Sequence, residues 1–168
     1  MSELDEFRAQ KDLFFKTHPH SPLTAEQQQT FEGLRYFPEN PALRLVVPVE
    51  VFADQVAIVM QTSTGDVREY TRYGQLRFSV DGQNVELTLY SDGDAYFLPF
   101  ADALAGVESY GAGRYLEPEP VGDGQFVVDF NLAYNPYCAY NDDWSCPITP
   151  RENRLTVPIR AGEKIYKE

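Results

Sequence analysis

Two hydrophobic periods divide the chain. From residue 3 onward Leu4, Phe7, Leu13 and Phe14 recur at the spacing of one helix face, and the run stops before His18-Pro19-His20-Ser21-Pro22, where two prolines cannot continue a helix. Ser2 with Asp5 three residues on is a start signal, and Thr24 with Gln27 repeats it. The spacing therefore predicts a first helix ending before His18 and a second over residues 25–32, with Gly33 as its stop and Phe31 and Leu34 facing inward. Beyond Leu43 the period shortens to two. The segments 44–52, 56–60, 67–73, 76–80, 85–90, 95–100, 113–116, 126–130 and 155–159 read as strands rich in β-branched and aromatic residues. Asp81-Gly82 lies between two of them and predicts a tight hairpin. In 76–80 and 85–89 the residues Leu76, Phe78, Val80, Val85, Leu87 and Leu89 share the apolar face, while Arg77, Ser79, Glu86 and Thr88 share the polar one.

No stretch between these strands is long enough for a crossover helix, so parallel pairing is excluded. The predicted fold is mainly β: an antiparallel meander forming a curved or barrel-like sheet, with a short helical N-terminal segment packed on it. At 168 residues, 43% apolar and 14% aromatic, the chain suits a single domain over 1–168 with a real core. Within it 1–41 is the helical segment and 42–168 the β domain, which carries a long loop near 132–153. Fourteen basic residues against 26 acidic ones leave a net charge of −12, which repels phosphate backbones and anionic lipid. Nucleic acid and membrane are thus poor partners, and a small molecule is the expected one. The acidic start lacks the form of a secretory signal and no apolar run is long enough to span a bilayer, so a cytoplasmic location is expected.

The chemistry concentrates after residue 97. Between Gly124 and Cys138 the only charge is Asp129, set in an aromatic and amide-rich segment, Asp129-Phe-Asn-Leu-Ala-Tyr-Asn-Pro-Tyr-Cys-Ala-Tyr. On a strand running to Asn131, Asp129 and Asn131 would share a face and need partners. Two readings fit. In the functional one, Asp129 is a general base, Tyr134 and Cys138 are the other catalytic candidates, and Arg114, Tyr115, Asn131, Asn135, Tyr140 and Asn153 bind the ligand. In the structural one, the same side chains cap irregular backbone and brace the loop. The Gly111–Arg114 stretch admits either an anion clamp at Arg114 or a turn whose arginine answers Asp129 or another acid. Glu163 with Lys164 reads either as a catalytic acid with its partner lysine or as a solvated terminal pair. Trp144, with Tyr137, Tyr140 and Phe130, either stacks on a flat ligand or fills core.

Cys138 and Cys146 stand eight apart; a loop-closing disulfide, a pair of buried thiols and a nucleophile are all open, with free thiols favoured in a cytosolic protein. His18 and His20 give them no common zinc spacing, so no metal and no cofactor is expected.

The segments Ser21-Pro-Leu, Gly33-Leu-Arg-Tyr-Phe-Pro, Phe97-Leu-Pro-Phe, Tyr110-Gly-Ala-Gly-Arg-Tyr-Leu, the Asp129–Tyr140 run, Trp144-Ser-Cys-Pro, Glu152-Asn-Arg-Leu and Ala161-Gly-Glu-Lys resemble, in order and over nearly the whole chain, the domain of unknown function 1684 family. The resemblance implies neither activity nor substrate. The function expected is binding of a small polar or anionic molecule in a pocket of the β domain, with hydrolase-like chemistry as its extension. The alternative is a non-catalytic structural or interaction module.

Overall fold

The computed structural model describes residues 2–141 and 144–166, so positions 142 and 143 of the expected loop lie outside the described residues. Helix α1, Glu3–Thr17, begins where Ser2 accepts from the Asp5 amide at 3.1 Å and Asp5 accepts from the Ser2 amide at 3.2 Å. Glu3, Asp5 and Glu6 in its first turn suit the positive end of the helix dipole. Helix α2, Ala25–Thr30, starts in the same way at Thr24 and Gln27, and ends two residues earlier than predicted because Phe31 turns into extended backbone.

The buried face of α1 is not the apolar one: Phe7 and Leu13 are 47% and 63% exposed. Arg8, Lys11, Asp12 and Phe15 face the protein instead, at the same helical spacing in a shifted phase. Phe15 inserts between Leu23, Phe31 and Tyr140, which joins the helical segment to the turn at residues 137–140. The three polar neighbours find partners: Arg8 donates to the Phe37 carbonyl at 3.0 Å, Asp12 accepts from the Leu34 amide and the Tyr36 hydroxyl at 3.1 Å each, and Lys11 pairs with Glu163.

Among the described residues eight strands follow: β1 (Arg44–Val51), β2 (Ala57–Gln61), β3 (Val67–Val80), β4 (Gln83–Ser91), β5 (Tyr96–Phe100), β6 (Arg114–Leu116), β7 (Glu119–Gly122) and β8 (Gln125–Asp129). All pair antiparallel in one curled half-barrel sheet of order β6-β5-β4-β3-β1-β8-β7, and β2 pairs with the first half of β3. The mainly β antiparallel expectation is met. The run β2 to β6 is a meander, but β1 leaves it: it sits between β3 and β8, so the first and last strands are neighbours.

Three details differ from expectation. Segments 67–73 and 76–80 form one strand, β3, whose register slips between Arg72 and Gly74 rather than breaking. Strand β7 was not predicted, although Asp123-Gly124 carries the same hairpin signal as Asp81-Gly82. Both pairs have positive φ at both turn positions, 55° and 73° against 51° and 80°. Segment 155–159 is not a strand, because Pro158 has no amide to donate. Its neighbours instead bond along Ala101–Ala103, with Leu155 N donating to Ala101 O and Ile159 N to the Asp102 carboxylate.

The apolar face of the sheet holds the core, including Leu76, Leu87, Leu89, Leu98, Val128, Phe130 and Ile159, all at most 1% exposed. On the other face Thr88 is also buried, because Asn153 covers it, accepting from Thr88 N and donating to Thr88 O and Pro99 O, each at 2.8 Å.

Candidate functional site

Some of the candidate residues have their polar atoms taken up by the protein's own backbone, and others line open space. Arg114 is among the former. It is 1% exposed on β6, and its guanidinium donates to the carbonyls of Ala161, Glu163 and Ile159, the last two at 3.0 and 2.9 Å. Its acid is Asp102 at 3.6 Å, not Asp129, and burial pushes its pKa down against the pull of Asp102. Asp102 in turn accepts from Ser109 and from the Ile159 amide at 2.7 Å each. The pair therefore fixes the path of residues 159–163.

Asp129 ends β8 and caps the 3-10 turn Phe130–Leu132, accepting from the Asn131 amide and side chain at 3.0 and 2.9 Å. The strand stops short of Asn131, so the two residues meet through this cap and not through a shared strand face. Arg44 lies 3.6 Å from Asp129. Asn131 exchanges two hydrogen bonds with the backbone of Asn40, at 2.8 and 3.0 Å, and ties the turn to the start of β1. Asn153 is the strut over Thr88 already described.

Gly162 forces the next contact. With φ of 78° and the carbonyls of Ala133 and Phe130 only 2.7 Å from where a Cβ would stand, no side chain fits there. This close approach turns Glu163 inward, where it is 2% exposed. Its carboxylate accepts from the Asn135 amide at 3.1 Å and the Tyr140 hydroxyl at 2.6 Å, and pairs with the Lys11 ammonium. The reading of Glu163 and Lys164 as a solvated terminal pair is thus corrected: the partner is Lys11, far away in sequence. Burial, with Glu163 adding to it, raises the Tyr140 pKa well above the phenol range.

Lys11 connects this buried cluster to open space. Its ammonium lies 5.1 Å from the centre of the Tyr134 ring and stands at one side of a cleft of about 480 Å³. Tyr115 and Tyr134 line the cleft from two segments held together by reciprocal backbone bonds, with their rings edge-on at 5.9 Å. Tyr137 and Trp144 line it as a second edge-on pair at 5.1 Å, and Ser145–Pro147 and Pro136 complete the wall. Three of the four rings are anchored by hydrogen bonds. Tyr115 donates to the Pro147 carbonyl, Tyr134 donates to Glu117 at 2.5 Å, and the Trp144 indole donates to the Pro22 carbonyl at 3.2 Å. Burial raises the pKa of both Tyr115 and Tyr134, so both remain neutral donors. Arg68 on β3 stands on the cleft and donates to the Ser145 carbonyl at 2.7 Å.

Of the nine sequence candidates, Tyr115 and Tyr134 line this cleft. Cys138 lies behind it, beside Cys146 in its wall, while Asn135 and Tyr140 reach it only through Glu163 and Lys11. Asp129 shares with Tyr134 a second cavity of about 520 Å³, which meets the first at Tyr134 and Glu117. Arg114, Asn131 and Asn153 do not line the cleft. Lys11, Arg68 and Glu117 went unrecognised in the sequence. Lys11 carried a signal, for Arg8, Lys11, Asp12 and Phe15 stand at one-face spacing within α1.

Among the described residues no three His, Cys, Asp or Glu side chains converge as a metal site, and no helix is long and apolar enough to cross a membrane. No curated protein matches the chain. A solution NMR structure of an uncharacterized protein of Haloarcula marismortui is similar to it at 36% identity and a TM-score of 0.75, covering 99% of this chain and 94% of that one. The model of the family described as protein of unknown function (DUF1684) matches residues 29–164, and the chain belongs to that family.

Proposed function

We propose that the protein binds a small molecule with a flat apolar body and a polar edge in the cleft between Tyr115, Tyr134, Tyr137 and Trp144. The observation that carries this reading is the convergence of four aromatic rings, three of them anchored by hydrogen bonds, on a space of about 480 Å³, a volume suited to a small ligand, with charged side chains beside them. The rings supply faces and edges for stacking, the Tyr115 and Tyr134 hydroxyls are already oriented, and Lys11, Arg68 and Glu117 supply charge of both signs. Binding, rather than hydrolysis, fits the placement of Asp129, whose carboxylate is engaged as a cap.

Trp144 is the only tryptophan in the chain, so its emission reports on this cleft alone. Titration with benzoate, benzamide and benzylamine is expected to give a saturable change in that emission for at least one of them. Arg68→Gln is expected to weaken benzoate more than benzamide. A folded protein whose Trp144 responds saturably to none of the three would refute the reading.

A second reading rests on a different observation, the engagement of Arg114, Asp129, Asn131 and Asn153 with backbone. Here the motif residues brace the chain from 129 to 164, and the family's shared function is a rigid surface offered to another protein.

A further inference from the structure

Cys138 and Cys146 meet at the wall of the cleft. The turn Tyr137–Ala139 points the Cys138 amide at Cys146 Sγ, 3.2 Å away, and both cysteines are free thiols. The Tyr110 hydroxyl lies 3.8 Å from Cys138 Sγ, within reach of a sulfur hydrogen bond. Cys146 is fixed by Ser63, which accepts from its amide through Oγ at 3.2 Å and donates its own amide to the Cys146 carbonyl at 3.0 Å. Cys138 is therefore half-buried with a hydroxyl beside its sulfur, and Cys146 is buried on a braced segment with an amide donated to its sulfur. Thiols that merely fill space need no such donors.

We propose that Cys138 and Cys146 form a reversible dithiol–disulfide site whose substrates are small disulfides. The Cys138 thiolate attacks one sulfur of a disulfide RSSR; the S–S bond breaks, and its electron pair leaves on RS⁻, which takes up a proton. Cys146 then loses its proton and attacks Cys138 Sγ of the mixed disulfide, releasing the second RSH and closing the Cys138–Cys146 bond. The protein dithiol gives up two electrons and two protons, and RSSR gains them as two RSH.

The electrostatics order the two steps. The neighbouring Cys146 side chain holds the Cys138 thiol below the ordinary range, and the same proximity, with burial, holds Cys146 above it. Once Cys138 is in the mixed disulfide its negative charge is gone, and with it the main cause that kept Cys146 protonated. Trp144 lies between the two cysteines in sequence and lines the cleft, so closure of the bond also restrains one of the cleft's aromatic walls.

The test is reaction of the reduced protein with 4,4′-dithiodipyridine, followed by thiopyridone absorbance and intact mass. Two thiopyridones per chain are expected, with a final mass two hydrogens below the reduced chain and no adduct. Cys146→Ser is expected to release one and keep a pyridyl adduct on Cys138, and Cys138→Ser to react about tenfold more slowly. A wild-type chain that retains two pyridyl adducts overturns the proposal, as does equal reactivity of the two variants. The wild-type mass decides even where a variant does not fold.

Discussion

Glu163 draws its donors from three distant places, the Lys11 ammonium, the Asn135 amide and the Tyr140 hydroxyl. A buried carboxylate persists only when its charge and lone pairs are met, so each partner matters more than an exposed ion pair would. Glu163→Gln keeps the shape but removes the charge opposite Lys11, and is expected to lower unfolding free energy by about 3 kcal/mol in urea titrations. Lys11→Met leaves the carboxylate unpaired at a comparable cost, and the double variant is expected to cost less than the two singles together. Asp129→Asn is the contrast. Arg44 opposite it is 68% exposed, so the ion pair is worth under about 1 kcal/mol, and Asn retains an oxygen for the Asn131 cap. Arg114→Met, which strands Asp102 and three carbonyls, is expected to cost about 4 kcal/mol. A loss that large at Asp129, or a negligible one at Arg114, would reverse the assignment of which residue braces the fold. The sequence shows Asp129 readily, as the lone charge in a neutral stretch. It hides the pairing of Glu163, because the partner lies 152 positions away on a helix where Phe7 and Leu13 point outward and obscure the buried face.

At the scale of elements, most of what depends on a few adjacent residues was legible, the Asp123-Gly124 hairpin being the exception. Both helices start at their capping boxes, and Asp81-Gly82 makes its hairpin, since each signal needs only residues three apart or closer. The place of β1 between β3 and β8 was not legible, because no local pattern names a partner strand. Nor was the path of 155–159, whose β-branched residues serve the core without strand pairing. The cleft depends on such a non-local contact: the β2–β3 turn holds the Trp144 wall. Ser63 Oγ donates to the Trp144 carbonyl at 3.2 Å, Ile148 N donates to Gln61 O at 2.8 Å, and Ser145 Oγ donates to Asp66 Oδ1 at 2.9 Å. Hydrogen bonds from Thr62, Thr64 and Ser145 hold the Asp66 carboxyl well below the usual carboxylate range. A depressed folded-state pKa adds stability that is fully present above the unfolded value, about 3.9, and is lost progressively as pH falls from there through the lower folded value, while the folded carboxylate itself stays ionised down to that lower value. The Trp144 wall is therefore expected to keep its emission as pH passes down through 4. Asp66→Ala is expected to shift that emission at neutral pH and to speed hydrogen exchange at the Cys146 amide while leaving the core amides of β4 protected. Unchanged exchange at Cys146 would show that the turn does not hold the wall.

Over the whole molecule, 26 acidic residues face 14 basic ones, and the two electrostatic contributions at the surface respond oppositely to salt. Arg77 with Glu50 and Glu86, Arg72 with Glu152, and Arg160 with Glu108 are exposed or half-exposed ion pairs that contribute little, and salt weakens them. Against them stands the mutual repulsion of an excess of twelve negative charges. It acts over longer distances and is cut off once the Debye length falls below the spacing of the charges, near 10 Å at about 0.1 M. Longer-range interactions are screened first. The buried pairs that hold the fold, Arg114 with Asp102 and Lys11 with Glu163, lie largely out of reach of salt. Net screening therefore relieves more repulsion than attraction, and raising NaCl from about 0.02 M to about 0.5 M is expected to move the urea midpoint upward. The same field lowers the concentration of anions near the protein, so benzoate is expected to approach the cleft faster as salt rises, and benzylamine more slowly, in stopped-flow traces of Trp144. A urea midpoint that falls with salt would place the surface ion pairs, and not the buried ones, among the interactions that hold the molecule together.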